Sequence, residues 1–188
     1  MAPHPQLLII PPPPSNSPSA LSSAAGADLR EIMGEFDLRV ESKAASVEQL
    51  AALLASDAPS LVIMGDILNP TVSLIDGMLA ALEEFDFAVG PAFDGSLYAL
   101  GHAGTRPLPQ AAASELAKTL FSGKPCLARV VSVLSVNGAA FYGHAPWYRA
   151  SDEAQRHFAM EHMELMRQSD DPDFAALRTL KALADKGG

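Results

Sequence analysis

LVIMGDILNPTVSLIDGMLAALEEFDFAVGPAFDGSLYALG, from Leu61 to Gly101, is the stretch on which the fold turns. Its opening run, Leu61 to Met64, is short, continuously apolar and followed at once by Gly65-Asp66. A strand buried on both faces reads this way, with an acid where the chain leaves the sheet. The residues from Thr71 to Phe85 predict a helix, with Val72, Ile75, Leu79 and Leu82 on one stripe. A second apolar run, Phe87 to Val89, enters the turn-rich loop Gly90 to Gly95, and Leu97 to Leu100 reads as a further strand. Strand, helix and strand in so short a span make a βαβ unit, with ligand loops at the carboxyl ends of its strands. Asp66 and Asp94 both fall at such ends. Leu61 to Met64 is therefore expected to be the central strand, with both carboxylates at one edge of the sheet.

Outward from this core, 188 residues suit a single domain, and 48% hydrophobic content can supply its interior. Thirteen basic against 22 acidic residues give a net charge of −9 without a basic stripe, which argues against a nucleic-acid backbone or an anionic membrane as main partner. One cysteine, Cys126, excludes an internal disulfide and a multi-cysteine metal site. No apolar run approaches the roughly 20 residues of a membrane span. No secretory leader pattern opens the chain, so a cytoplasmic location is expected.

Leu7 to Ile10 reads as a short strand, and residues 11–23 as a Pro/Ser-rich mobile segment. Ala24 to Gly34 predicts a short helix, and Phe36 to Glu41 alternates like a strand. Ser46-Val47-Glu48-Gln49 has the form of a capping box opening a helix through Ser56. Beyond Gly101, a Gly/Pro loop leads to a helix over Ala111 to Phe121. The valines of Leu127 to Val136 favour a strand, whereas the Asn137-Gly138 stop favours a helix. Ala139 to His144 reads as a strand. Residues 152–188 form a helical extension, first from Asp152 with Ser151 as cap, then through Phe174, Leu177, Leu180 and Leu183. His157 and Glu161, one turn apart, read as a solvated helix face rather than a metal site.

The motif Gly90-Pro91-Ala92-Phe93-Asp94-Gly95-Ser96-Leu97-Tyr98-Ala99-Leu100-Gly101 resembles one in the GT-A-type, nucleotide-diphosphosugar transferase-like family often given an arsenosugar-type glycosyltransferase label. There the pattern is Gly-Pro-Ala-x-Asp-Gly-Gly-Tyr-Tyr-Leu-x-Gly, preceded by a strand ending in Gly-x-Asp-Cys-Pro. Here Asp66 takes the place of that Asp, with Ile67 and Leu68 in place of Cys-Pro. Leu120-Phe121-Ser122-Gly123-Lys124-Pro125 resembles the family's Leu-Phe-x-Gly-x-Pro. Pro146-Trp147 resembles its Pro-Trp-x-Asp-x-Asp-Thr, with Arg149 and Ser151 at the acidic positions. The family pattern also makes Leu127 to Val136 a helix, which is the expectation adopted.

The resemblance implies a three-layer, Rossmann-like (GT-A-like) α/β domain with a mostly parallel central sheet, as a truncated or divergent member. It implies Asp94 as a catalytic residue and Gly90, Pro91, Ala92, Gly95 and Tyr98 as substrate-binding residues. Asp66 becomes a metal ligand for magnesium or manganese if the protein is active, or else a turn residue. The family's basic nucleotide loop has no counterpart, and Leu7 to Pro14 aligns with its second strand, so a first strand is expected to be missing. Arg39, Lys43, Lys124 or Arg149 could supply replacement cations. Two functions follow: a nucleotide-sugar-dependent glycosyltransferase of altered site, or a non-catalytic module that keeps the fold for binding or assembly. Weak or lost affinity for nucleotide sugars, and self-association or a protein partner covering the open edge, are expected.

Overall fold

The structure is a computed structural model that describes residues 6–10, 19–34, 36, 39–40, 46–150, 156–161, 178–179 and 182. Six strands form one sheet: β1 (Gln6–Ile10), β2 (Arg39–Val40), β3 (Ser60–Met64), β4 (Phe87–Pro91), β5 (Leu97–His102) and β6 (Phe141–Gly143). Their order is β2-β1-β3-β5-β4-β6. The pairings β1 with β2, β1 with β3 and β4 with β6 are parallel; β5 runs antiparallel to both β3 and β4. The sheet is thus mostly parallel, and β3 lies at its centre with every residue buried.

Alternation along β1 and β3 divides the core in two. Leu8, Ile10, Val62 and Met64 pack against α2 (Val47–Leu54), α4 (Gln110–Leu120) and α5 (Leu127–Val136). Leu7, Leu61 and Ile63 pack against α1 (Ser19–Met33) and α3 (Val72–Ala81) on the other face. Helices on both faces of one sheet make the three-layer α/β architecture expected from the sequence.

Local signals fixed several ends. Ser46 accepts a hydrogen bond from the Gln49 amide at 3.1 Å and caps α2; Thr71 does the same for α3 through Leu74, also at 3.1 Å. Each such cap is worth about 1 kcal/mol. Leu127 to Val136 is helical despite its valines, because Val130, Val133 and Leu134 supply a buried stripe at helical spacing.

Four expectations need correction. First, β3 and β4 are parallel near neighbours, as expected, but the strand read at Leu97 to Leu100 turns back antiparallel and inserts between them. Second, the buried stripe of α3 is Leu74, Ile75 and Met78, while Val72 is exposed. The sheet lies under the face one position round from the predicted one. Third, α1 starts at Ser19, inside the segment expected to be mobile. Leu21 and Ala25, one turn apart, are buried with Leu68, Ala150 and Ala159, so packing overrides a composition that reads as linker. Residues 11–18 of that segment lie outside the described residues. Fourth, β1 is not the last strand of the described sheet: β3 pairs with it along its length and β2 pairs with it at Gln6 and Leu7.

Of the C-terminal extension, residues 156–161 are helical, as are 178–179 and 182; the rest lies outside the described residues. His157 and Glu161 form an exposed ion pair at 3.3 Å, as a solvated helix face should. Among the described residues no helix is long and apolar enough to cross a membrane.

Candidate functional site

Because β3 and β4 are parallel, the loops after their carboxyl ends, carrying Asp66 and Asp94, open on the same side of the sheet. A third segment is laid across them. Ala150 donates its amide to the Asp66 carbonyl at 2.7 Å, and Leu68 donates to the Tyr148 carbonyl at 3.0 Å. The Trp147 indole donates to the Leu68 carbonyl at 2.7 Å, and the Phe93 amide to the Trp147 carbonyl at 3.2 Å. This main-chain stitching sets Arg149 directly over the β3 end.

Arg149 and Asp66 form a bidentate pair, Nε to Oδ1 at 2.9 Å and Nη2 to Oδ2 at 3.0 Å, with side chains 2% and 0% exposed. Arg149 Nη1 donates to Ser96 Oγ at 3.2 Å, and Nη2 also reaches the Gly123 carbonyl at 3.4 Å. Ser96 in turn donates its hydroxyl to Asp94 Oδ1 at 2.5 Å, and its amide donates to the same oxygen at 3.0 Å. Asp94 Oδ2 pairs with Lys124 at 3.2 Å; the Asp94 side chain is 7% exposed, that of Lys124 61%. The sequence Asp66, Arg149, Ser96, Asp94, Lys124 is one connected line from the core to the surface. Among the described residues, two carboxylates balance two cations along it, Asp66 and Asp94 against Arg149 and Lys124. Burial opposes ionisation of Asp94, but the Ser96 bonds and Lys124 outweigh it and hold its carboxyl below the usual range.

The structure brings Asp66 and Asp94 into one network, through Arg149 and Ser96 rather than by direct contact. Gly95 has φ +78°, the left-handed conformation an Asp-Gly turn needs, and its surroundings are open. Ala92 is buried and Pro91 half-buried at the end of β4. Gly90 and Tyr98 have packing roles. A Cβ on Gly90 would lie 2.5 Å from the Tyr98 ring, and Tyr98 is fully buried. Its hydroxyl contacts His144 Nδ1 at 3.1 Å and donates to the Ala145 carbonyl at 3.3 Å. Tyr98 therefore offers no open face for stacking on a sugar or base. Lys43 lies outside the described residues, and of Arg39 only the backbone is described.

Three features were missed in the sequence. Ser96 joins the two acidic ends, although its position in an Asp-Gly-Ser turn reads as ordinary loop chemistry. Exposed Phe93 packs on Tyr148 with ring centroids 4.7 Å apart, giving the loop an aromatic face. Asn69, on the loop after Asp66, is 4% exposed with φ 46°, and neither its amide nitrogen nor its oxygen has a hydrogen-bond partner among the described residues. A buried, unsatisfied amide costs about 1–3 kcal/mol and is the kind of group a ligand relieves.

A cleft of about 670 Å³ adjoins the line on its outer side. Lys118, Lys124 and Arg129 line it together with Ser114, Thr119 and Ser122. Arg129 pairs with Glu115 at 2.8 Å.

The divalent cation implied by the resemblance does not fit these residues. Magnesium is held octahedrally by oxygen, with waters and one or two carboxylates whose oxygens are free to reach it. Both Asp66 oxygens are held by a guanidinium, and both Asp94 oxygens are engaged by Ser96 and Lys124. Among the described residues no group of three His, Cys, Asp or Glu side chains could hold a metal.

No protein-family model matches this chain, and no curated protein matches it in sequence. Among solved structures it is similar to a protein of Desulfovibrio desulfuricans G20 described as a "putative nucleotide-diphospho-sugar transferase". The likeness covers 99% of this chain and 98% of that one, with a TM-score of 0.71 and 12% sequence identity. The likeness shows that the two chains share this α/β fold.

Proposed function

We propose that this chain is a non-catalytic binding module of the nucleotide-diphosphosugar transferase fold, whose acidic centre has been closed by an internal arginine. The observation that carries this is the paired line from Asp66 to Lys124. Sugar transfer from a nucleotide donor needs positive charge held ready for the departing diphosphate. Arg149 is buried and committed to Asp66, and Lys124 is committed to Asp94. Neither charge is left over for a developing phosphate anion, so the fold keeps its shape without its electrostatic engine.

A ligand of the same chemical kind, a phosphorylated sugar or its nucleotide, is still the best match to the surroundings. The unsatisfied Asn69 amide, the Phe93–Tyr148 face and the cations of the outer cleft are polar, aromatic and positive in turn. The transferase reading keeps one specific support, the placement of Asp94 beside that open cleft through Lys124.

Calorimetry with a panel of nucleotide sugars, with and without magnesium or manganese, separates the two. The expected result is weak binding at most, indifferent to metal, with no sugar released or transferred. Micromolar affinity for one nucleotide sugar, dependent on metal and abolished by Asp94→Ala, would establish the altered-site transferase instead.

A further inference from the structure

We propose that the cleft between α4 and the start of α5 is a binding site for a phosphorylated sugar without a nucleotide, its phosphate held by Lys118 and Arg129 with help from Lys124. This narrows the binding-module reading and rests on it for the chemical class of the ligand.

The cleft concentrates positive charge in an acidic protein. The whole chain has 13 basic and 22 acidic residues, yet Lys118, Lys124 and Arg129 share the lining with a single acid, Glu115. The ion pairs among the described residues leave Lys118 out, and its charge is the smallest of the influences on the exposed Glu48 carboxylate. Arg129 and Glu115 are 62% and 45% exposed, and an ion pair so open to water holds its members weakly. A doubly charged phosphate can therefore share the guanidinium. Lys124 keeps its bond to Asp94 at 3.2 Å and, with three N–H donors, has others to offer. Cys126, the N-cap of α5, lines the same cleft, which brings the positive end of a ten-residue helix to it.

The rest of the lining selects the rest of the ligand. Thr119 donates its hydroxyl to the Glu115 carbonyl at 2.9 Å, and Ser122 donates to the Thr119 carbonyl at 2.7 Å. Both oxygens keep lone pairs to accept from sugar hydroxyls. Among the described residues no aromatic side chain lines the cleft, so a nucleobase would find nothing there to stack on. Its volume of about 670 Å³ falls within the roughly 300–1,000 Å³ of small-molecule sites, more than a bare phosphate fills. A phosphate on the cations and a polyol on the hydroxyl oxygens use both kinds of group.

Cys126, exposed and the single cysteine of the chain, makes the test direct. Its labelling by N-ethylmaleimide, timed by mass spectrometry at constant ionic strength, should slow in millimolar glucose 6-phosphate. Inorganic phosphate should protect more weakly, and glucose not at all. Lys118→Ala should weaken the protection by roughly two- to fivefold, as the loss of one exposed cation does, and Lys118→Ala/Arg129→Ala should abolish it. Glu115→Gln should strengthen it, because the competing acid is gone, a gain that damage to the fold would not produce. Equal protection by inorganic phosphate overturns the sugar as the ligand's class. No protection, or protection that Lys118→Ala or Glu115→Gln leaves unchanged, overturns the site. The probes carry no nucleotide and the readout sits at Cys126. Failure here would leave the binding-module reading to the calorimetry of nucleotide sugars, and turnover of a nucleotide sugar would refute that reading without changing the Cys126 result.

Discussion

At the scale of single residues, the centre is defined by two departures from the pattern this chain resembles, and they touch. Ser96 stands where the motif has a second glycine, and Arg149 where it has an acid; Nη1 of the arginine donates to the serine oxygen. A glycine there would leave that nitrogen and Asp94 without a link. Asp66 and Asp94 were legible because a strand-end acid and an Asp-Gly turn have local signatures. Their union was not, because the residues that join them are far apart in the chain and ordinary in type. Tyr98 shows the opposite failure. Its place in a site-like motif suggested a ligand contact, but its burial follows from neighbours that only the folded sheet supplies. A specific consequence concerns Gly90. An added methyl group there meets the Tyr98 ring, so Gly90→Ala should destabilise the chain by about 1–3 kcal/mol, the usual cost of overpacking. Chemical denaturation would measure it, and Gly95→Ala serves as the contrast, its cost coming from the left-handed backbone alone.

At the scale of elements, the sequence was most informative where one stripe or one cap decides the outcome. The helix α2 and the central β3 are such cases, whereas α5, whose valines favour a strand, was read as a helix from the family pattern and its Asn137-Gly138 stop. Strand order was not legible, because the run Leu97 to Leu100 carries no signal of direction, and β5 doubles back between β3 and β4. The pairing of β3 with β5 also has a polar end. Ser60 lies opposite His102; both are fully buried, and Ser60 Oγ and His102 Nδ1 have no hydrogen-bond partner among the described residues. His102 stacks on Phe87 at 4.7 Å, and its other nitrogen contacts the Arg106 carbonyl at 3.3 Å. Burial pushes the imidazole below its ordinary value of 6.5, outweighing the Arg106 carbonyl and Asp86, which both favour the charged form. The unfolded chain therefore takes up this proton before the native one does. Stability should be fully present above about pH 6.5 and fall as the pH drops from there through the lowered native value. For one group the slope is at most about 1.4 kcal/mol per pH unit. Denaturant midpoints at neutral and mildly acidic pH check this, and His102→Gln should flatten the profile over that window.

For the molecule as a whole, the described sheet ends in two short strands, β2 of two residues and β6 of three. Short edges are a standard protection against edge-to-edge pairing. On the side where a lost strand was expected, β2 pairs with β1 at Gln6 and Leu7. A net charge of −9 adds mutual repulsion. Light scattering should accordingly return the mass of one chain, 19.8 kDa. A stable dimer would instead point to association through another surface, with exposed Tyr142 on β6 the first residue to substitute.

The only tryptophan of the chain is Trp147, and its indole is tied to the loop that carries Asp66, while its carbonyl holds the loop that carries Asp94. Its emission is therefore an optical gauge built into the closed centre. A red shift without loss of helical circular dichroism would mean the three segments have parted while the body of the molecule holds. Stopped-flow fluorescence could time that parting with no label attached.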